Sequence, residues 1–225
     1  MGFLLNKDGV RYEMLSEQNL FGAVRCVSHA FTSNEPMSRH LGITPEDFIV
    51  FASAYYRELI DEKLSLVAID ERSSQVIGVR ISEDYCKQDE DFFVDGLSPR
   101  FTPLFALLGE LSDYFKNNHQ VSPGTYAHLF MVAVADGFTR RGIAPNMYKL
   151  FLDIAMKRGY TYAVTEPTGL ISQHVLLKKF GFRELHRINY HDFEFEGTYP
   201  FATIKDHTCA MLLEKKLTEL ELFFS

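Results

Sequence analysis

The chain has 225 residues, 46% of them hydrophobic, with 20 Phe and 11 Tyr, which supplies one sizeable core and excludes a disordered chain. Its formal net charge of −7, from 23 Lys and Arg against 30 Asp and Glu, argues against a general nucleic-acid binder and against a protein held on anionic lipid. Cys26, Cys86 and Cys209 lie far apart with no Cys-x-x-Cys or Cys/His metal spacing, so they read as reduced thiols of a cytoplasmic protein, and no metal is expected.

Met1–Lys7 lacks the basic and apolar regions of a leader, and Asn6 stands where a myristoylation signal carries Ser or Thr. No apolar run approaches the ~20 residues that span a bilayer, so no membrane partner is expected. Val10 to Leu15 alternates as a short strand. Ser16 is an N-cap candidate with Asn19 three residues on, and Leu20, Ala23, Val24, Val27 and Phe31 recur at helical spacing. Helix one therefore covers about 17–31, and Asn34-Glu35-Pro36 breaks it, because a residue before proline is pushed out of the helical region. Thr44-Pro45-Glu46-Asp47 opens a second helix.

Leu64 to Ile69 and Gln75 to Ile81 form an antiparallel hairpin around a polar turn. The acidic run from Ser82 to Val94 reads as a solvated loop. Pro103 opens a helix bearing Leu104, Leu107, Leu108, Leu111 and Phe115. Leu129 to Ala135 is an apolar strand, Asp136 to Gly142 a polar loop, and an amphipathic helix then runs up to Gly159. A strand from Thr161 to Glu166, a helix from Ile171 to Phe180 stopped by Gly181, and strands at 182–193 and 208–215 complete the chain. Hairpins mixed with crossovers mean an α/β chain with a mixed sheet. No linker divides it, so residues 1–225 are expected to form a single domain.

The strand, loop and helix of 129–160 form an anion site, since first-turn N–H groups lack partners inside the helix and the helix dipole favours negative charge there. A Walker A sequence is absent, and Gly137 and Gly142 have the wrong spacing for a dinucleotide fingerprint. This disfavours a kinase or a simple dehydrogenase.

The segment Val134-Ala135-Asp136-Gly137-Phe138-Thr139-Arg140-Arg141-Gly142-Ile143-Ala144 resembles the acetyl-CoA-binding motif of the GNAT superfamily of N-acetyltransferases, Arg/Gln-x-x-Gly-x-Gly/Ala. Gly142 and Ala144 match its small positions, while Thr139 stands where Arg or Gln is usual. Lys178-Lys179-Phe180-Gly181-Phe182 is similar to a second family segment. The resemblance implies a GNAT-like, mostly antiparallel central sheet with a splayed parallel strand pair, flanked by helices. It implies acetyl-CoA as co-substrate, with its pyrophosphate on N–H groups of Arg140, Arg141, Gly142, Ile143 and Ala144, and its pantetheine arm along Val132 and Val134.

Asn34-Glu35-Pro36-Met37 resembles a segment of the insect-type arylalkylamine N-acetyltransferases whose Glu is the proposed base. Glu35 would thus take the proton of a small amine, an arylalkylamine or a polyamine, which attacks directly in a ternary complex. Two serines of that subgroup would fall near Gly169 and Gln173. The general-acid tyrosine of other members would fall at Leu177, leaving Ser172 and His174 as substitutes. Glu166, at a strand end, is a second carboxylate. Phe48, Tyr55, Tyr56, Tyr199 and Phe201 could wall an aromatic amine. A protein N-terminal or lysine acetyltransferase and a non-catalytic CoA-binding module are the competing readings. The sequence gives no oligomeric state.

Overall fold

Residues 3–87 and 95–217 are described by the computed structural model. They contain one eight-stranded sheet, with β1 (Phe3–Lys7), β2 (Val10–Met14), β3 (Leu66–Asp70), β4 (Val76–Asp84), β5 (Tyr126–Val134), β6 (Tyr162–Thr165), β7 (Arg183–Asn189) and β8 (Cys209–Lys216). The spatial order is β1-β2-β3-β4-β5-β6-β8-β7. Only β5 and β6 pair in parallel; the other neighbours are antiparallel.

Helices cover both faces. On one side α1 (Glu17–Asn34), α2 (Pro36–His40), α3 (Pro45–Glu58) and α4 (Thr102–Asn118) bury Val27, Met37, Phe51, Leu107 and Phe115 against Val79, Ile81 and Met131. On the other, α5 (Ile143–Lys157) and α6 (Leu170–Lys179) bury Met147, Phe151 and Leu176 against Leu66, Ala68 and Leu129. The alternation of each strand thus feeds two separate cores.

The caps follow the sequence. The Ser16 N–H donates to Asn19 Oδ1 at 2.9 Å. Thr44 and Asp47 exchange bonds of 3.0 and 3.2 Å as a capping box. Gly181, at φ 67°, stops α6. Three features depart from expectation. β1 is an added strand, folded on β2 through Asp8-Gly9, whose φ values of 53° and 73° suit a tight hairpin turn. Pro36 does not simply break helix one; it starts α2, because proline at a first helical position loses no bond. The run from Ser82 is not a solvated loop either. β4 continues to Asp84, and Ser82, Glu83, Asp84 and Tyr85 are buried; the remainder, 88–94, lies outside the described residues.

Candidate active site

β5 organises the site. Ile81 pairs with Met131 and Ser82 with Leu129, which leaves Phe130 as an extra residue in a β-bulge. On its other edge β5 meets β6 only from Tyr126–Tyr162 to His128–Val164. Beyond that point the strands part, and Thr165 Oγ1 donates to the Leu129 carbonyl at 2.7 Å where backbone pairing has ended. The β5 edge through Val134 is therefore open to an extended, amide-bearing chain.

At the end of this edge the backbone turns through Gly137 (φ 82°), Arg140 (φ 64°) and Gly142 (φ 75°) into α5. Glycine meets a left-handed conformation there without strain. The first-turn N–H groups of α5 point out of the helix toward this loop. Arg140 and Arg141 are exposed; Arg141 stacks over Phe138 at 5.3 Å and reaches the Asp8 carbonyl at 3.4 Å. The Ile143 side chain is buried in the second core, so it can offer a ligand only its backbone.

A cavity of about 530 Å³ opens from the edge, bordered by Val132, Val134, Thr139 and Ala144 at the loop end and by Glu35, Glu166 and Ser172 at the other. The expected candidates Glu35, Ser172, Val132, Val134 and Ala144 thus come together. Arg140, Arg141, Gly142 and Ile143 form the adjoining loop and helix start without bordering the cavity.

Glu35 joins α1 to α2 and is half-buried. Its Oε1 accepts from Met37 N–H at 3.1 Å and its Oε2 from Ser38 N–H at 2.6 Å. The carboxylate caps α2 and is held in one orientation at the cavity wall. Ser172 donates its hydroxyl to the Gly169 carbonyl at 2.8 Å. Gln173, near which the resemblance places one of the subgroup's serines, is buried and ties α6 to the carbonyls of Pro167 (3.1 Å) and Cys209 (2.8 Å). Leu177 packs against the second core, and His174 is exposed and does not border the cavity.

The aromatic wall differs from the expected one. Phe48 belongs to it, but Tyr56 and Phe201 are buried core residues, Tyr199 is exposed, and Tyr55 turns to Glu83. The wall is made of Phe31, Phe48, Phe51, Phe101, Phe105 and Phe130. Phe51 links it together, lying 5.5 Å from Phe105 and 5.8 Å from Phe101 between centroids.

Two buried polar groups, one at the cavity and one behind Glu166, lacked an individual sequence signal. Arg80, on β4 opposite Val132, is 1% exposed, stacks on Tyr148 at 4.0 Å, and leaves Nε and Nη2 without a partner. Burial lowers its pKa and Tyr148 opposes that shift. The second is His128, whose ring nitrogens meet Glu83 at 2.8 Å and Glu166 at 2.6 Å. The expected strand from Gln75 to Ile81 includes Arg80, while His128 lies one residue before the expected strand at Leu129; tertiary packing puts Arg80 at the cavity and His128 against Glu166, which borders it.

Residues 105–182, from within α4 to just past α6, match the model of the Acetyltransferase (GNAT) family. No curated protein sequence matches the chain. Among solved structures, the C-terminal condensation domain of Ebony in complex with β-alanyl-dopamine superposes with a TM-score of 0.81 at 17% identity, over 92% of this chain and 98% of that one. Arylalkylamine N-acetyltransferase 2 from Aedes aegypti gives 0.77 at 20% identity, over 94% and 100%. Drosophila melanogaster polyamine N-acetyltransferase gives 0.73 at 11% identity, over 92% and 100%. The fold is the GNAT fold, with the mostly antiparallel sheet and splayed parallel pair expected from the sequence.

Proposed function

We propose that this chain, which matches the GNAT family model over residues 105–182, transfers an acetyl group from acetyl-CoA to a small amine, by direct attack in a ternary complex with Glu35 as base. One observation carries the reading: a single cavity joins the open β5 edge and the α5 loop to a phenylalanine-walled recess holding carboxylates. The donor fits the first half. The unpaired edge at Val132 and Val134 can pair with the pantetheine amides, and N–H groups from Arg140 to Ala144 suit a pyrophosphate. Arg80 adds two unpartnered guanidinium nitrogens to this half, which favours an oxygen-rich ligand over an apolar one.

The acceptor half suits an arylalkylamine better than a polyamine. Its wall is six phenyl rings, which match the flat apolar ring of an aromatic acceptor. That a structural neighbour is an arylalkylamine N-acetyltransferase supports this choice. Walls from α1, α3 and α4 enclose the recess, which favours a small amine over a protein lysine or N-terminus.

The chemistry assigned to the chain is modest. Glu35 takes a proton from the ammonium, directly or through a water, and the freed nitrogen attacks the thioester carbonyl beside the β5 bulge. Backbone N–H groups near Val132 polarise that carbonyl. The C–S bond then breaks, the thiolate leaves and is protonated, and the nitrogen loses its second proton to give the amide. Ser172 stands near the recess as a hydroxyl that can return a proton to the leaving sulfur. Cys26, Cys86 and Cys209 are free thiols, which suits a cytoplasmic setting, and one continuous sheet suits a single domain over 1–225.

The test is release of CoA thiol from acetyl-CoA with an amine panel, in the full chain and in Glu35→Gln. A general base contributes roughly 10²–10⁴-fold, so the variant should lose that much in kcat. The KM for acetyl-CoA should stay unchanged. Full turnover in the variant contradicts the base; acetyl-CoA binding without amine-dependent release contradicts the enzyme and favours a CoA-binding module.

A further inference from the structure

Where β5 and β6 part, three ionisable side chains form a line. His128 is buried, with Nδ1 2.8 Å from Glu83 Oε1 and Nε2 2.6 Å from Glu166 Oε2. An acceptor at each ring nitrogen requires a donor from each, and only the imidazolium provides both. Burial alone would push the pKa down, but the Glu166 and Glu83 carboxylates outweigh it and raise it to about 10. The Tyr55 hydroxyl donates to the second oxygen of Glu83, so that carboxylate is engaged on both sides. Glu166 is not. Its side chain is 8% exposed and borders the cavity, yet Oε1 is buried without a partner.

Two carboxylates around one imidazolium leave a net negative charge beside a phenylalanine wall. Tyr85 stacks edge-on to His128 and donates its own hydroxyl to Ser112. Glu62 acts on Tyr55, and Asp113 on Tyr85, as further negative charges. Among the described residues no Lys or Arg forms an ion pair with Glu83 or Glu166. A buried carboxylate oxygen with an unmet acceptor site, in a cluster short of one positive charge, is costly unless a cation fills it.

We propose that Glu166 Oε1 is the acceptor that binds the substrate's ammonium group, with His128 and Glu83 as the positioning residues that hold it. This rests on the amine-acetylating reading above. Glu166 lies two residues past the last β5–β6 pair, His128–Val164. A nitrogen held there faces the open β5 edge, where the thioester end of the donor would lie. Glu166 then holds the ammonium while Glu35 takes its proton. The acceptor enters as its cation, and an uncharged amine of equal shape loses this contact.

Isothermal titration of the full chain in the presence of CoA tests the assignment, with 2-phenylethylammonium and the isosteric 2-phenylethanol as probes. A charge-assisted bond in a desolvated site should favour the ammonium by about tenfold or more. Glu166→Gln can turn its carbonyl to His128 and its amide to the cavity, so the preference should fall to near unity while CoA affinity stays unchanged. A wild-type protein without preference, or a Glu166→Gln protein that keeps it, overturns the proposal. Should Glu166→Gln lose CoA binding, Glu166→Asp keeps the charge and withdraws it by one methylene; its preference must fall, and full retention overturns the proposal. Absence of thiol release with the ammonium preference intact would instead count against acetyl transfer alone.

Discussion

His128 shows how one residue can be both a stabilising and a functional group. Its imidazolium is held between two carboxylates, with a folded pKa raised from 6.5 to about 10. The folded state therefore binds the extra proton more tightly than the unfolded chain does. That contribution to stability is complete below pH ~6.5 and is lost as pH rises toward about 10. Melting curves of wild type and His128→Gln should converge across that window; parallel curves would mean that the charge is not held. Glu35 illustrates the other limit. Its sequence neighbours Asn34 and Pro36 mark it as a helix-ending residue, and its carboxylate does cap α2. Nothing local shows that the same carboxylate faces a cavity. Glu35→Gln keeps one acceptor oxygen, so it should lose only part of a cap worth about 0.5–2 kcal/mol, and a Tm scan separates that small loss from the larger loss in kcat.

Elements place these side chains, and their packing carries further consequences. α5 lies close against the sheet at Gly78, where an added Cβ would come 2.9 Å from Ile143, 3.1 Å from Ala68 and 3.2 Å from Met147. Gly78→Ala should push the first turn of α5 away from β4 and destabilise the chain by about 1–3 kcal/mol. Because that turn adjoins the loop expected to hold the pyrophosphate, the KM for acetyl-CoA should rise while the KM for the amine stays put. An equal rise in both would show that the donor does not depend on α5. Most helices and strands were legible because periodicity and capping reflect the local chain: Ser16, Thr44 and Gly181 mark ends that are found. β1 has little signal of its own: Asp8-Gly9 marks a hairpin turn, but Phe3–Lys7 carries only a short, weak alternation. The buried extension of β4 was hidden for a different reason. Glu83 reads as a solvated acid until β5 brings His128 beside it, and Asp84 until Gly124 N–H and the Tyr160 hydroxyl donate to it.

At the scale of the whole molecule the two cores lie on opposite faces of one sheet, and the cavity passes through the gap where β5 and β6 part. Arg80 sits on the β4 side of that passage as a buried cation whose Nε and Nη2 lack partners. Such a group destabilises the ligand-free protein and favours whatever oxygen-rich ligand satisfies it. Arg80→Met should raise the ligand-free Tm, by roughly 2–4 °C for each kcal/mol regained in a chain of this size, and should weaken acetyl-CoA binding. A lower Tm with unchanged acetyl-CoA binding would make Arg80 a purely structural residue. The loop end of the cavity is marked in the sequence by Gly142, Ala144 and the apolar run before them. The phenylalanine-walled end is not, because its walls come from α1, α3 and α4 and meet only in the folded chain. The most direct test joins the halves: CoA thiol release by the wild-type chain with acetyl-CoA and 2-phenylethylamine, each varied against the other. Saturable release that requires both substrates, with the intersecting kinetic patterns of a ternary complex, is the expected result. Release independent of the amine, or no release while acetyl-CoA still raises Tm, would contradict it.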